Sequence, residues 1–411
     1  MRVCFISRRY FPAISGMSIY AQNLLRELVR AGCEVTLVSQ FYGGGHATVY
    51  GGGPPPPVEG VRVIGLEALG EQAGGDFERD VRTMVETVVA EHARAPFDVI
   101  HAQYGYPNGW AALLASRATG VPNVVSIQGG DGHWVGSCCP GHREAMRRVC
   151  LHAGALLIGG RSFVDEVAGR LDTPRERFTL IPGAVDTERF TPGHPPGEVA
   201  DPPRILYHGR VDRRKGVLDL LEALAILRGE GAPFAATISG VGPDVEPAKA
   251  LAAAHRFTEA EVRFTGYADY AEAPRLYAEA DLFSSPTYAE GFSNTILEAM
   301  AAGVPVASCD SVGVTDCLRD GDNGLLTPAG DVPAHAAALR RLIEDAPLRR
   351  GIAERALAEC RRTYSWTAVG ARIREVYARV AGTAPDLGWS PELPPDPPGA
   401  PCRFRATPHL L

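Results

Sequence analysis

The chain has 411 residues, 45% of them hydrophobic and 22% charged, which is typical of a globular protein large enough for two cored domains. Its formal net charge of −7 argues against a function that depends on bulk attraction to nucleic acid or anionic lipid. The start of the chain lacks a secretory signal and no stretch reaches about 20 apolar residues, so we expect a cytoplasmic protein with no transmembrane segment.

The first half of the sequence alternates strand-like apolar runs with helical patterns. The run RVCFIS is followed by a segment in which Ala21, Leu24, Leu25 and Leu28 recur at helical spacing, and then by the run EVTLVS. The later runs VRVIGL, FDVIHAQ, NVVSIQ and ALLIGG continue the alternation. This succession predicts a parallel, doubly wound domain over residues 1–190.

A second domain is predicted after residues 191–203, where proline and glycine dominate and no apolar period survives. The alternation restarts at RILYHG and predicts another doubly wound domain over residues 204–365. One more helical pattern covers residues 366–380, and we expect an extended tail without catalytic residues at 381–411. The predicted fold class is therefore α/β, with two Rossmann-like domains and a ligand site in the cleft between them.

Nine cysteines are scattered along the chain, and only one cluster among them resembles a ligand set. Cys138, Cys139, His142 and Cys150 lie within SCCPGHREAMRRVC, but paired ligands of structural zinc sites usually lie about two to four residues apart. We therefore interpret these residues as reduced cysteines in a loop and a helix, and predict neither a metal nor a cofactor.

The stretch EGFSNTILE, residues 290–298, predicts a phosphate site at the start of a helix. Its apolar positions fit a helix that begins near Ser293 or Asn294, after a tight turn at Gly291. The first amides of such a helix have no partner within it and favour an anion, diphosphate above all. The amides predicted to face this anion belong to Phe292, Ser293, Asn294 and Thr295.

Two carboxylates flank the predicted phosphate site. Beside an anion, Glu290 and Glu298 are favourable only if they accept hydrogen bonds from hydroxyl groups. A sugar nucleotide carries such groups on both sides of its diphosphate, so we predict that Glu290 faces the sugar and Glu298 the ribose. The alternative is an exposed loop glutamate and a solvated helix glutamate.

Cations for a diphosphate are available in YHGRVDRRKG, which follows a predicted strand. Gly209 and Arg210 would leave the sheet at its carboxyl end, and Lys215 precedes the next helix. The alternative is a solvated basic turn. Tyr267, after the run VRFTG, is a candidate for contact with the nucleoside base.

The first domain offers weaker candidates. Ser15 and Gly16 precede a helix and could donate amides to the diphosphate or to an acceptor. Side chains near strand ends could line an acceptor or sugar pocket, with ordinary packing as the alternative: Tyr104, Gln128, Asp131, His133 and Arg161.

The order of SGMS, HGRVDRRKG, EGFSNTILEAMAAGVPV and YSWTAVGARIREVY resembles the retaining glycosyltransferases of family 4, which have the GT-B fold. The resemblance covers residues 1 to about 380. It implies that Glu290 contacts the donor sugar, that Glu298 binds ribose, and that Arg210 and Lys215 bind diphosphate. It also implies that the helix at 366–380 crosses back onto the first domain.

The function implied by this resemblance is the transfer of a sugar from a nucleoside-diphosphate sugar to a hydroxyl group, with retention of configuration and without a metal. Glu290, Arg210 and Lys215 would act in catalysis. A UDP-sugar is the default donor because it is common in the family. The acceptor would be a saccharide, a lipid-linked molecule or a small molecule, and peripheral contact with a membrane stays open.

Several positions depart from the family pattern. Gln128 stands where the family usually has a histidine; its side chain can hydrogen-bond a sugar but cannot carry a proton at neutral pH, and His133 is a candidate replacement. The usual Gly-Gly of the first loop is Ser15-Gly16, and Thr315 and Asp316 replace a common Pro-Glu.

Two other functions stay open at this point. A sugar-nucleotide epimerase of the same fold would convert the donor alone, and a catalytically silent protein would bind the donor without transferring it. A pyridoxal-dependent phosphorylase is less favoured because no lysine is placed for that cofactor.

Overall fold

A computed structural model describes residues 1–13, 15–43, 51–135, 138–395 and 402–406. The chain forms two compact units, one made of Met1–Pro182 with Val369–Leu411 and the other of Gly183–Ala368. The described residues of each unit contain one parallel sheet.

The sheet of the first unit has seven strands among the described residues, in the order β3-β2-β1-β4-β5-β6-β7. The strands are β1 (Arg2–Ser7), β2 (Glu34–Phe41), β3 (Val61–Glu67), β4 (Val99–Gln103), β5 (Asn123–Ile127), β6 (Ala155–Ile158) and β7 (Phe178–Leu180). The helices are α1 (Gly16–Arg30), α2 (Leu69–Gln72), α3 (Phe77–Arg94), α4 (Trp110–Thr119), α5 (Gly130–Trp134), α6 (Pro140–His152) and α7 (Arg161–Leu171).

The second unit repeats this arrangement with six strands in the order β10-β9-β8-β11-β12-β13. The strands are β8 (Arg204–His208), β9 (Ala235–Ser239), β10 (Val262–Gly266), β11 (Leu282–Ser285), β12 (Val306–Cys309) and β13 (Leu325–Thr327). The helices are α8 (Val217–Gly229), α9 (Val245–Ala254), α10 (Ala273–Ala278), α11 (Asn294–Ala301), α12 (Val332–Glu344) and α13 (Ala346–Thr363).

Apolar runs form the strands of the second unit because both faces of the sheet are covered. Phe283 and Val306 are paired on neighbouring strands and belong to one buried cluster. The residues adjacent to them in sequence, Leu282 and Ala307, point to the opposite face of the sheet and belong to a second cluster. Helices therefore pack on both faces, and the prediction of two doubly wound α/β domains is confirmed.

The order of the strands locates the edge at which a ligand is expected. In the second unit the strand order reverses between β8 and β11, and in the first between β1 and β4. In open α/β sheets, ligands bind beyond the carboxyl ends of the strands at such a reversal. The loop after β8 contains Arg210, and the loop after β11 contains Glu290.

The segment 191–203, predicted as a linker, is packed within the second unit, which begins earlier, at Gly183. His194 Nε2 lies 3.0 Å from the carbonyl oxygen of Ala280, and the amide of Ala200 donates to Asp281. Proline and glycine thus mark a segment without regular structure here, whereas the compact units divide between residues 182 and 183.

Helix α14 (Trp366–Val380) starts in the second unit, and from Val369 onward it belongs to the first. There the Tyr377 hydroxyl lies 2.5 Å from His101 Nδ1 on β4. The Arg372 guanidinium donates to the carbonyl oxygen of Leu180 at 2.7 Å.

The described part of the tail differs from the extended tail that the sequence predicted. Residues 382–395 have no helix or strand but are docked: Arg117 donates to the carbonyl oxygens of Leu387 and Trp389. A short helix, α15 (Arg403–Ala406), follows, and Phe404 within it is buried. The apolar side chains of the tail are separated by prolines and therefore show no helical or strand periodicity in the sequence. Trp389 and Phe404 are nevertheless buried. Residues 396–401 and 407–411 of the predicted tail lie outside the described residues.

Candidate active site

Helix α11 begins without a side-chain cap. Its N-cap, Ser293, has extended backbone angles (φ −85°, ψ 101°), but its hydroxyl makes no hydrogen bond to the backbone of the helix. It lies instead 3.3 Å from the Thr295 hydroxyl. The start of this helix, predicted near Ser293 or Asn294, thus keeps its first-turn amides available for an anion, which the helix dipole favours.

The turn after β8 lies beside the first turn of α11. Gly209 has a φ of +138°, and a Cβ placed on it would lie 3.8 Å from Thr295 Cγ2. This turn carries Arg210, whose Nε is 3.3 Å from Asp212 Oδ2. Asp212 also accepts a hydrogen bond from the amide of Arg214, which fixes the turn between β8 and Lys215.

Lys215 and Glu290 form an ion pair in the second unit. Lys215 Nζ lies 2.6 Å from Glu290 Oε2, and both side chains are partly exposed. The amide of Glu290 donates to the carbonyl oxygen of Val312 at 2.8 Å, and a Cβ on Gly313 would lie 2.2 Å from the Glu290 carbonyl oxygen. The close packing of this loop holds Glu290 near Lys215, and two of the residues predicted to act in catalysis are therefore in direct contact.

Glu298 is buried in α11, only 7% exposed. Burial raises the pKa of its carboxyl group to about 7, opposed by the hydrogen bond that the Tyr277 hydroxyl donates at 2.8 Å and by the charge of Arg189. The alternative interpretation of Glu298 as a solvated glutamate on a helix surface does not fit this environment. Tyr277 and Arg189 could not be predicted as partners of Glu298, since neither lies in a recognisable motif.

The other predicted donor contacts lie in the same unit. Tyr267, directly after β10, is 42% exposed, so its ring is accessible for stacking. The ring of Phe292 packs against Tyr364, with the ring centroids 5.8 Å apart. A Cβ on Gly183 would lie 2.7 Å from this ring, so Gly183 keeps the loop at Gly291 and Phe292 close to the start of the second unit.

In the first unit, helix α1 begins with a closed cap, in contrast to α11. The amide of Ser18 donates to Ser15 Oγ at 3.2 Å, and the amide of Ser15 donates to Ser18 Oγ at 2.9 Å. This capping box uses the Ser15 amide, which was predicted to be available for a ligand. Gly16 is the first residue of the helix.

Asp131 holds two loops of the first unit together. Its carboxylate accepts hydrogen bonds from the amides of Gly105 at 2.7 Å, Gly129 at 2.9 Å and Gln128 at 3.2 Å. The side chain is fully buried, and burial raises the pKa of its carboxyl group. Tyr104, which precedes Gly105, is also buried. Asp131 therefore has a structural role, because its buried carboxylate accepts hydrogen bonds from the amides of both loops.

The remaining candidates of the first unit have different environments. Gln128 Oε1 accepts a hydrogen bond from Gln103 Nε2 at 2.8 Å. His133 is buried, with Nδ1 2.8 Å from Glu166 Oε2 and its ring against Phe163. Arg161, the first residue of α7, is exposed. The Gln128 side chain thus pairs with Gln103, whereas the His133 ring pairs with Glu166.

The second unit therefore brings together helix amides, a guanidinium, an ammonium and two carboxyl groups. Amides and cations suit an anion such as a diphosphate, while the carboxyl groups suit hydroxyl groups attached to it.

Comparison with known proteins identifies the class. Residues 202–345 match the family "Glycosyl transferases group 1", and residues 15–184 match the "Glycosyl transferase 4-like domain". Together these matches span most of both units, and the chain is a glycosyltransferase. It belongs to glycosyltransferase family 4, whose members have the GT-B fold.

Curated relatives match nearly the whole chain. A glycogen synthase of Mycobacterium tuberculosis is 26% identical over 398 residues, covering 92% of this chain and 94% of that protein. A D-inositol 3-phosphate glycosyltransferase of Corynebacterium diphtheriae is 26% identical over 429 residues, covering 93% and 95%. HepE of Anabaena, solved in complex with UDP-glucose, aligns with a TM-score of 0.69 and 21% identity over 92% of this chain and all of that chain.

Within the described residues, no helix combines the length and the apolar character needed to cross a membrane.

Proposed function

We propose that this glycosyltransferase takes its sugar from a nucleoside-diphosphate sugar, retains the anomeric configuration and uses no catalytic metal. The observation that carries the proposal is the uncapped start of α11 beside the turn of Arg210, with the Lys215–Glu290 pair in the same unit. As the glycosidic bond breaks, negative charge grows on the diphosphate. Arg210, Lys215 and the helix amides would stabilise this charge.

The Lys215–Glu290 ion pair has a role in this proposal. Before the donor binds, each side chain neutralises the other. A diphosphate bound beside Lys215 would compete with Glu290 for the ammonium group. Glu290 would then be able to accept hydrogen bonds from sugar hydroxyls. The acceptor hydroxyl would pass its proton to the departing phosphate oxygen, so no protein base is required.

UDP-glucose is the first donor to test, because HepE, which shares the fold, was solved with it. The acceptor class stays broad: the names of the relatives include a glycogen synthase and an inositol-phosphate glycosyltransferase. Saccharide, lipid-linked and small-molecule acceptors should all be screened. A cytoplasmic location also stays a prediction. An epimerase is less favoured, since the family matches and curated relatives are glycosyltransferases.

Calorimetric titration with UDP tests the diphosphate site. Lys215→Ala should weaken binding about 10- to 100-fold, since a hydrogen bond to a charged group contributes about 1.5–3 kcal/mol. Lys249→Ala is the matched control, because Lys249 is the only other lysine of the chain and its side chain is about half exposed beside Glu246. Equal UDP affinity in wild type and Lys215→Ala would remove Lys215 from the phosphate site.

Glu290→Gln separates binding from transfer. The variant should bind UDP at least as well as wild type, because UDP carries no transferable sugar for Glu290 to contact and the substitution releases Lys215 from its ion pair. Sugar transfer to a hydroxyl acceptor should fall about 100-fold, the usual cost of losing one group that stabilises a transition state. An unchanged transfer rate would exclude Glu290 from the mechanism.

A further inference from the structure

Three cysteines and a histidine converge in the first unit, outside the proposed donor and acceptor sites. Cys138 and Cys139 precede α6, His142 lies in its first turn, and Cys402 comes from the tail. Their ligand atoms all lie within 4.8 Å of one another. Cys150, which the sequence analysis grouped with the first three, is not a member. The fourth member is Cys402 in the tail. It is 260 residues from His142, so no short spacing pattern in the sequence could reveal it.

Three distances within this group lie within about 0.4 Å of the edges of a zinc tetrahedron. Zn–S bonds of about 2.3 Å and Zn–N bonds of about 2.0–2.1 Å place two sulfurs about 3.8 Å apart, and a sulfur and a nitrogen about 3.6 Å apart. Here the sulfurs of Cys138 and Cys139 are 3.9 Å apart. His142 Nδ1 lies 3.2 Å from the Cys138 sulfur and 3.5 Å from the Cys402 sulfur.

We propose that Cys138, Cys139, His142 and Cys402 bind one zinc ion as a structural site. Three thiolates and an imidazole are soft ligands that suit zinc and not magnesium or calcium. Four protein ligands leave no position open for a water or substrate, so the ion would have no catalytic step to perform.

The surroundings hold the histidine in place for this role. His142 is fully buried, and its ring lies 4.4 Å from the ring of Tyr106 and 5.5 Å from that of Phe77, measured between centroids. Cys139 and Cys402 are buried as well. Cys138 is partly exposed, so a bound ion would be enclosed on the side of His142 and Cys402 and closer to solvent at Cys138.

The ion would fasten the tail to the first unit. Helix α15 has only four residues and cannot be stable by itself. Outside the cluster, Arg405 anchors it by two hydrogen bonds to Glu78, of 2.8 and 2.6 Å. A zinc ion bound by Cys402 and by the ligands at the start of α6 would cross-link the tail to α6. This cross-link would lie next to the loop that contains Tyr106, and Asp131 stabilises that loop by accepting a hydrogen bond from the amide of Gly105.

Metal analysis of the full chain tests this proposal. Protein purified with a reductant and without a metal-affinity step should contain one zinc per chain by plasma mass spectrometry. Cys402→Ser should lose the zinc, while Cys33→Ser, a partly exposed cysteine of the same unit, should keep it. Cobalt in place of zinc should give the visible absorption of a tetrahedral thiolate site in wild type and in Cys33→Ser only.

Other outcomes would overturn the proposal. These are wild type without metal, zinc retained in full by Cys402→Ser, or a disulfide among these cysteines in the intact mass of protein kept under reductant. If Cys402→Ser is insoluble, titration of wild type with a mercurial thiol reagent should release zinc in step with thiol modification, and no release would refute the site. UDP affinity should stay unchanged in Cys402→Ser, so a failed zinc site and a failed donor site are distinguishable.

Discussion

Glu298 is a carboxyl group in surroundings that disfavour its charge. Burial raises its pKa from 4.5 to about 7. The folded protein therefore holds a proton that the unfolded chain releases above pH 4.5. The resulting stabilisation is complete below pH 4.5 and is lost as the pH rises through about 7.

Glu298→Gln removes this titration and keeps an acceptor for the Tyr277 hydroxyl. Between pH 4.5 and 7, wild type should lose roughly 3 kcal/mol of stability relative to the variant, since one pKa unit corresponds to about 1.4 kcal/mol. Thermal unfolding at a series of pH values measures this difference. Glu246→Gln, at an exposed site of the same unit, should follow wild type. Parallel profiles for wild type and Glu298→Gln would mean that folding does not raise the pKa of Glu298.

The sequence indicated which residue types form the proposed donor site but not how they pair. Arg210, Lys215, Glu290 and Glu298 were predicted from strand, turn and helix signals. The Lys215–Glu290 pair and the Tyr277–Glu298 hydrogen bond join positions far apart in the chain, so no local pattern reveals them. Asp131 shows the converse, because a carboxylate near a strand end looks like a ligand contact until its amide partners are known.

The N-terminus of α1 is capped by a serine side chain, whereas the N-terminus of α11 is not. The capping box at Ser15 satisfies amides of α1, whereas Ser293 makes no such bond in α11. Residue type does not distinguish the two, since serine occupies both N-caps. The backbone and neighbouring side chains decide whether the hydroxyl turns towards the helix.

Two alanine substitutions test this contrast. Ser15→Ala should cost about 1 kcal/mol of stability, the usual value of an N-cap, and Ser293→Ala should cost less than about 0.5 kcal/mol. Calorimetric unfolding of both variants checks the pair. An equal loss in Ser293→Ala would indicate that the hydroxyl caps α11 and competes with an anion.

At the level of elements, strands and helices followed from local signals more faithfully than the domain boundary and tail. Alternating apolar runs predicted the two doubly wound domains correctly because parallel strands are buried on both faces. The segment 191–203 and the tail contain much proline and glycine, which predicts an absence of regular structure but not whether the segment packs. Both are docked in the described structure.

The whole molecule combines a proposed metal-free reaction with a proposed structural zinc, and one treatment separates them. Incubation with EDTA under conditions that leave the zinc content unchanged should leave sugar transfer unchanged, because in the proposed donor site the cations are the side chains of Arg210 and Lys215. Zinc content is measured in the same samples. Loss of transfer that magnesium or manganese restores would contradict metal-independent catalysis.

The most direct test of the central claim is a crystal structure of the full chain with UDP. We expect the diphosphate within hydrogen-bonding distance of the amides at the start of α11 and of the Arg210 and Lys215 side chains, with the ribose hydroxyls at Glu298. UDP bound elsewhere, or a diphosphate that contacts neither these cations nor these amides, would contradict the account.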